Sequence, residues 1–223
     1  MNVLEMKSLE VTLPSGILRG SISVTDRERV AVMGVSGSGK STIVRAIAGF
    51  ISSTELGAQF SVHLNGRELT HLPPAKRNIG VVFQDAVMIP GLSVEENAAY
   101  GLTIRGISKT EALEAVKPWL HKVDLLNRAK FSVQGLSGGE RQRISWVRAL
   151  VWQPELILLD EPFSALDAQR RREMWSETLA FQQASRVPML LVSHDSDEVQ
   201  FLSTRQIVIR NHQLFSEISL PAR

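Results

Sequence analysis

The segment Gly34-Val35-Ser36-Gly37-Ser38-Gly39-Lys40-Ser41 sets three glycines, a lysine and a terminal hydroxyl at the spacing of a phosphate-binding P-loop. Glycines at 34, 37 and 39 let the backbone curl so that successive N–H groups, with Ser36 and Ser38 in the curl, point at phosphate oxygens. The N-terminus of a following helix adds its dipole. Lys40 is expected on the β- and γ-phosphates, Ser41 on a magnesium ion, and Thr42 as a further hydroxyl in the cradle. The metal also needs a carboxylate at the end of a neighbouring strand, and Leu156-Ile157-Leu158-Leu159 ends on Asp160, expected to act through water. Glu161 follows as a second carboxylate that the metal does not require. Its place suits a base that takes a proton from water attacking the γ-phosphate, which points to hydrolysis rather than transfer to an acceptor. Plainer readings exist: a glycine-rich turn before an ordinary helix, and two acids capping a helix before Pro162. The presence of both halves in one chain argues against each.

These groups demand particular elements. Val30 to Met33 reads as a strand entering the glycine segment, and Lys40 to Gly49 as the helix leaving it, giving strand, loop, helix. Earlier strands are expected at Val3 to Met6, Leu9 to Leu13 and Ile17 to Val24, with a turn at Pro14-Ser15-Gly16. Phe60 to Leu64 before Asn65-Gly66 predicts a hairpin with a type I′ turn, and Ile79 to Phe83 a further strand. Residues 85–150 read as helical, with an apolar stripe over Glu111 to Val123, and form a candidate inserted subdomain. Leu156 to Leu159 and Met189 to Val192 are continuous apolar runs of the kind found in strands covered on both faces, separated by a helix over Gln169 to Gln183. A final hairpin is expected around Asn211 and His212. The fold class is α/β.

Composition narrows the function classes. The 223 residues are 43% hydrophobic and 22% charged, ordinary for one globular core. With no cysteine there is no disulfide, thiolate metal site or thiol nucleophile, which fits a reducing compartment. A formal net charge of +2 gives no reason to expect nucleic acid, and Arg170 to Arg172 reads as a solvated helix face. No apolar stretch approaches the about 20 residues of a spanning helix, and Met1 to Ser8 lacks the form of a signal peptide.

Leu136-Ser137-Gly138-Gly139-Glu140, followed by Arg141-Gln142-Arg143, resembles the signature of the ABC ATPase family. A given five-residue string arises by chance in such a chain on the order of once in 10⁴. The resemblance implies a P-loop NTPase (RecA-like) core with a parallel sheet, an N-terminal antiparallel β subdomain and an inserted helical subdomain. It implies one ABC ATPase domain over 1–223, with 1–84 and 150–223 as the nucleotide-binding core and 85–149 as the helical signature subdomain. In the family the signature serine and glycine N–H groups bind the γ-phosphate held by the opposite subunit's P-loop, so Ser137, Gly138 and Gly139 are expected to bind ATP in trans and two cassettes to share their sites, most simply as a homodimer. Gln84 looks like the Q-loop glutamine that touches magnesium and the attacking water. Ser164-Ala165-Leu166-Asp167 looks like the D-loop at the dimer interface. Ser193-His194-Asp195 looks like the switch, with His194 on the γ-phosphate and holding the geometry with Glu161. The histidines at 63, 71, 121 and 212 are read as structural.

Leu72 to Gln84 and Pro90 to Asn97 are similar to the ATPases of bacterial solute importers of the thiamine, polyamine, iron, molybdate and sugar types. That likeness implies permease subunits docking near residues 85–100, a solute-binding protein acting through them, and a peripheral position on the cytoplasmic face of the inner membrane. The exposed-loop reading of Ala86-Val87-Met88-Ile89-Pro90 is disfavoured by its apolar character. Competing readings are an ABC exporter or lipoprotein-release ATPase, a soluble ABC protein acting on ribosomes or DNA, and a degenerate nucleotide-binding regulator. The last is opposed by intact Lys40, Asp160, Glu161 and His194. Three departures from the family stand out. No Phe, Tyr or Trp precedes Phe50 to stack on adenine, which leaves Leu9, Val11 or Leu13 for an apolar contact. Glu140 replaces the commoner glutamine. The chain ends at Arg223, so no C-terminal regulatory β-domain is expected.

Overall fold

The structure, a computed structural model, describes residues 2–52 and 57–219. Of the stretch Met1 to Ser8, Met1 alone lies outside the described residues, as do residues 53–56 and 220–223. In chain order come β1 (Asn2–Leu13), β2 (Gly16–Thr25), β3 (Arg29–Met33), α1 (Lys40–Ala48), β4 (Gln59–Leu64), β5 (Arg67–Glu68), β6 (Ile79–Val82), α2 (Val94–Thr103), α3 (Lys109–Lys122) and α4 (Gly138–Leu150). They are followed by β7 (Leu156–Asp160), α5 (Ala168–Ser185), β8 (Met189–Val192), α6 (Ser196–Leu202), β9 (Arg205–Arg210) and β10 (Gln213–Ser219). These elements group into two compact units. The first comprises Met1–Ile79, Glu155–Glu161 and Phe181–Arg223, and the second Gly80–Pro154 and Pro162–Ala180.

In the first unit the strands lie in the order β5-β4-β1-β2-β10-β9-β3-β8-β7. β9, β3, β8 and β7 are parallel, and every residue of β7 and β8 is buried, as their unbroken apolar runs require. Each leucine in β7 contributes about 1.5–3 kcal/mol by leaving water. β1, β2, β4 and β5 pair antiparallel, and Asn65 (φ 52) with Gly66 (φ 77) makes the hairpin turn. The two short strands expected before Pro14 are one. Ser8 takes φ 53 and the register shifts between Met6 and Leu9, a bulge that keeps Met6 and Leu9 both in the core.

Arg77, 2% exposed, closes the end of α1. Its guanidinium donates to Ala46 O at 3.0 Å, Ile47 O at 2.8 Å, Leu72 O at 2.7 Å and Thr70 O at 3.0 Å. Two of these carbonyls belong to the last turn of the helix, where a cation is favoured. Gly49 follows at φ 87, and a Cβ there would stand 2.4 Å from Arg77 Nε, so both its backbone and its lack of a side chain serve this contact.

The second unit is helical. α2, α3 and α4 each begin with a reciprocal capping box, Ser93 with Glu96, Ser108 with Glu111 and Ser137 with Glu140. Trp119 and Trp146 pack with ring centroids 5.6 Å apart, and buried Trp146 donates to Thr178 Oγ1 at 2.9 Å. α3 continues through Pro118. No helix among the described residues is long and apolar enough to cross a membrane.

Candidate active site

β3 delivers the chain into Gly34, and α1 starts at Lys40 with Gly39 as its N-cap at φ 100. A Cβ on Gly39 would lie 2.8 Å from both Leu13 and Leu18 side chains, so the loop is pressed against the β1–β2 hairpin. The Ser15 hydroxyl ties that hairpin to the loop by donating to Gly37 O at 3.1 Å. Of the three apolar residues expected to face a base, Leu9 and Val11 are buried in the sheet. Only half-buried Leu13 reaches the loop. Gly37, at φ 76, has open space where a Cβ would be, as a cradle for a ligand requires.

Lys40 is 7% exposed and bends back over its own loop, its Nζ donating to Gly34 O at 2.8 Å and Val35 O at 3.0 Å. Burial lowers its pKa, against the pull of Glu161 and Asp160. Its partners are neutral carbonyls, which a phosphate oxygen outcompetes. The Ser41 hydroxyl donates to Asp160 Oδ1 at 3.0 Å. Burial raises the Asp160 pKa; the Ser41 bond opposes this and the neighbouring Glu161 adds to it. A hydroxyl beside a carboxylate is a hard-oxygen donor pair that fits Mg2+. Among the described residues no group of three or more His, Asp or Glu could hold a metal alone, so water and phosphate would complete the shell, as is usual for this ion.

Glu161 follows β7 in the left-handed region, φ 47, with its N–H donating to Val192 O at 2.9 Å. Other non-glycine residues among those described, Arg27 and Gln153 for example, take the same region at turns, and here it turns the chain sharply off the strand. The turn brings Glu161 Oε1 to 3.2 Å from His194 Nδ1; the histidine side chain is 70% exposed and the glutamate 19%. His194 sits between two anchored neighbours. Ser193 donates to the buried carboxylate of Glu198 and accepts from Asp195 N–H at 3.0 Å, while Asp195 caps α6 through the Asp197 and Glu198 N–H groups. A partly shielded carboxylate backed by an imidazole can orient a water and take its proton.

The first unit thus assembles Gly34 to Thr42, Asp160, Glu161 and His194. The second unit carries Gln84, Ser137, Gly138, Gly139 and Asp167. There a Cβ on Gly138 would stand 3.4 Å from Ala165 Cβ, and one on Gly139 2.9 Å from Leu166 and 3.3 Å from Ala165 O. Both glycines are helical, and at Gly139 the close approach of Leu166 is what excludes a side chain. Ser137 accepts from Glu140 N–H at 3.2 Å, and Asp167 accepts from Arg170 N–H at 2.9 Å, capping α5.

Gln142, 2% exposed, joins three of these segments. Its Nε2 donates to Gln84 O at 3.3 Å and Ser164 Oγ at 3.2 Å, and its Oε1 accepts from Ala165 N–H at 3.0 Å. Sequence reasoning passed over it, as it passed over Glu198 and Asn97. Asn97, fully buried, exchanges hydrogen bonds with both backbone groups of Ile89 and donates to Leu92 O and Ser93 O. A polar residue on an apolar helix face was the available signal in each case.

Residues 19–164 match the family described as ABC transporter. The chain is 38% identical over 201 residues to the spermidine/putrescine import ATP-binding protein PotA of Legionella pneumophila (strain Paris), covering 90% of this chain and 54% of that protein. It is 37% identical over 194 residues to the uncharacterized ABC transporter ATP-binding protein YdcT of Escherichia coli (strain K12), covering 87% and 56%. The chain therefore spans about half the length of the curated relatives it matches. Its structure superposes on an ATP-binding cassette solved as a dimer in a post-hydrolysis state bound to ADP and Pi, with TM-score 0.87, 25% identity and coverage of 99% of this chain and 100% of that one.

Proposed function

The chain belongs to the ABC transporter family, and from that premise we propose that it hydrolyses ATP as the nucleotide-binding subunit of a solute importer, one of two cassettes that share their sites. The observation that carries this reading is the arrangement behind the P-loop, where Ser41 meets Asp160 and Glu161 meets His194 at 3.0 and 3.2 Å.

In this reading Lys40 leaves its loop carbonyls for the β- and γ-phosphate oxygens, which α1 and the N–H groups of the loop also face. Ser41 and Asp160 would hold a magnesium ion, which would supply charge neutralisation at the phosphates. Glu161 takes the proton of the attacking water, and His194 fixes Glu161 and contacts the γ-phosphate. Gln84 keeps the Q-loop role that the family resemblance implies. Ser137, Gly138 and Gly139 give their N–H groups and hydroxyl to the nucleotide of a second cassette, with Asp167 at the interface. Catalysis rests on positioning and charge, without a covalent intermediate.

The partners follow from the same premise. A second copy completes the sites, and permease subunits dock near residues 85–100, linked to a solute-binding protein, with the chain peripheral on the cytoplasmic face of the membrane. Support comes from the loop over 85–93, which Asn97 pins and where Arg148 donates to Val87 O at 2.8 Å while Val87 as a residue is 72% exposed. With Ala86, Met88 and Ile89 only half-buried beside Val87, an apolar run left partly open to water suits a docking contact.

The test is magnesium-dependent ATP hydrolysis against protein concentration. The rate per chain should rise with concentration, and Glu161→Gln should lower it at least about 100-fold while ATP binding persists and the ATP-bound protein doubles in mass. Normal turnover by that variant removes Glu161 as the base.

A further inference from the structure

Glu140 stands at the third position of α4, where glutamate and glutamine both complete a capping box. The glutamate brings a charge as well. Its Oε2 accepts from the Ser137 N–H at 2.8 Å and from the Ser137 hydroxyl at 2.9 Å, and its Oε1 is paired with the Arg128 guanidinium. Burial works against ionisation here, but the two Ser137 bonds and Arg128 together hold the carboxyl below its usual range. The hydroxyl proton of Ser137 is therefore committed to an anion, and the positive end of α4 already faces a fixed negative charge. A triphosphate arriving at Ser137 must take that hydroxyl from Glu140 and come close to the carboxylate.

Arg128 is placed to relieve this conflict. It lies in the short turn Leu126–Arg128, whose entry is fixed by buried Leu125, and its guanidinium is 5.6 Å from the centre of the Phe131 ring. The nearby Arg143 donates instead to Val123 O. Resting on the reading that Ser137 meets a γ-phosphate in trans, we propose that Arg128 is a positioning residue for the signature: by holding and neutralising Glu140, it lets a glutamate-bearing signature admit nucleotide phosphate. The need for Arg128 then exists only because residue 140 is charged.

The experiment uses the full chain carrying Glu161→Gln, with MgATP as titrant and light scattering as the measure of dimer. Added Arg128→Ala should raise the ATP concentration for half-dimerisation about tenfold, and Glu140→Gln should lower it. With Glu140→Gln already present, Arg128→Ala should change it by no more than about twofold, and Arg128→Lys should keep most of the parent behaviour. A thermal melt of each variant accompanies the titration, and Arg128→Gln replaces the alanine if that variant does not fold. The same tenfold loss in both backgrounds, or no loss in either, overturns the proposal. In those cases the shared site survives, since the parent still dimerises. A parent that never dimerises with ATP takes down the shared-site reading and this inference together.

Discussion

Burial acts against the charge of both Lys40 and Asp160. Lys40 donates to two neutral carbonyls, and Asp160 accepts from one hydroxyl, with Glu161 opposing its charge and Arg45 and Lys40 favouring it. A phosphate beside Lys40 and a divalent ion beside Asp160 would each favour the charged form. Glu28 shows the opposite use of a carboxylate. Its Oε1 accepts from Arg205 Nε at 2.6 Å and its Oε2 from Thr25 N–H at 2.8 Å, fixing the turn that feeds β3. Burial would raise its pKa, but these bonds outweigh it and hold the carboxyl below 4.5. A lowered folded pKa means the stabilisation is complete above the unfolded value and is lost as pH falls through the folded one. Glu28→Gln is therefore expected to cost about 1–2 kcal/mol at pH 7 in urea unfolding, a difference that shrinks steadily once the pH drops under 4.5.

At the scale of elements, α1 depends on a residue outside it. Removing Arg77 leaves the Ala46, Ile47, Leu72 and Thr70 carbonyls in a buried pocket without their donor. Arg77→Leu should cost about 2–4 kcal/mol and lower the melting midpoint by roughly 5–15 °C. An unchanged midpoint would mean the pocket hydrates freely. The sequence shows Arg77 only as one letter in an importer-like stretch, because a long-range bond to a helix end has no local period. Elements with a strong local rule were legible: the strand, loop and helix around Gly34 to Ser41, the Asn65-Gly66 hairpin, the buried runs of β7 and β8, and α5. α2 was not read as a separate helix, although Ser93 and Glu96 mark its start. The bulge at Ser8 was invisible, since a break in alternation looks like a strand end. In the candidate site, the residues proposed to meet the ligand are the ones with motif spacing. Gln142 was not legible, because its partners at 84 and 164–165 lie far away in sequence, and neither was Glu198, whose bond to the Ser193 hydroxyl links a strand end to the next helix without any motif spacing.

For the whole molecule, the groups that read as chemistry divide between the units, the phosphate loop, acids and His194 in one, the signature, Gln84 and Asp167 in the other. A protein built this way spreads its function over segments that must each find distant partners. The position of β3 in the sheet has a consequence for the time it takes to make the protein. β3 ends at Met33, yet its neighbours are β8, from Met189, and β9, from Arg205. A ribosome adding about 5–20 residues per second needs roughly 10–30 seconds to cover that gap, while α2, α3 and α4 come from consecutive sequence and can settle first. Until then the edges of Val30 to Val32 are open to wrong pairing and to proteases. Ribosome-stalled chains that stop before Met189 should therefore be cleaved readily in residues 29–48, and those that extend past β9 should resist. Early resistance would mean that β3 finds a substitute partner while it waits.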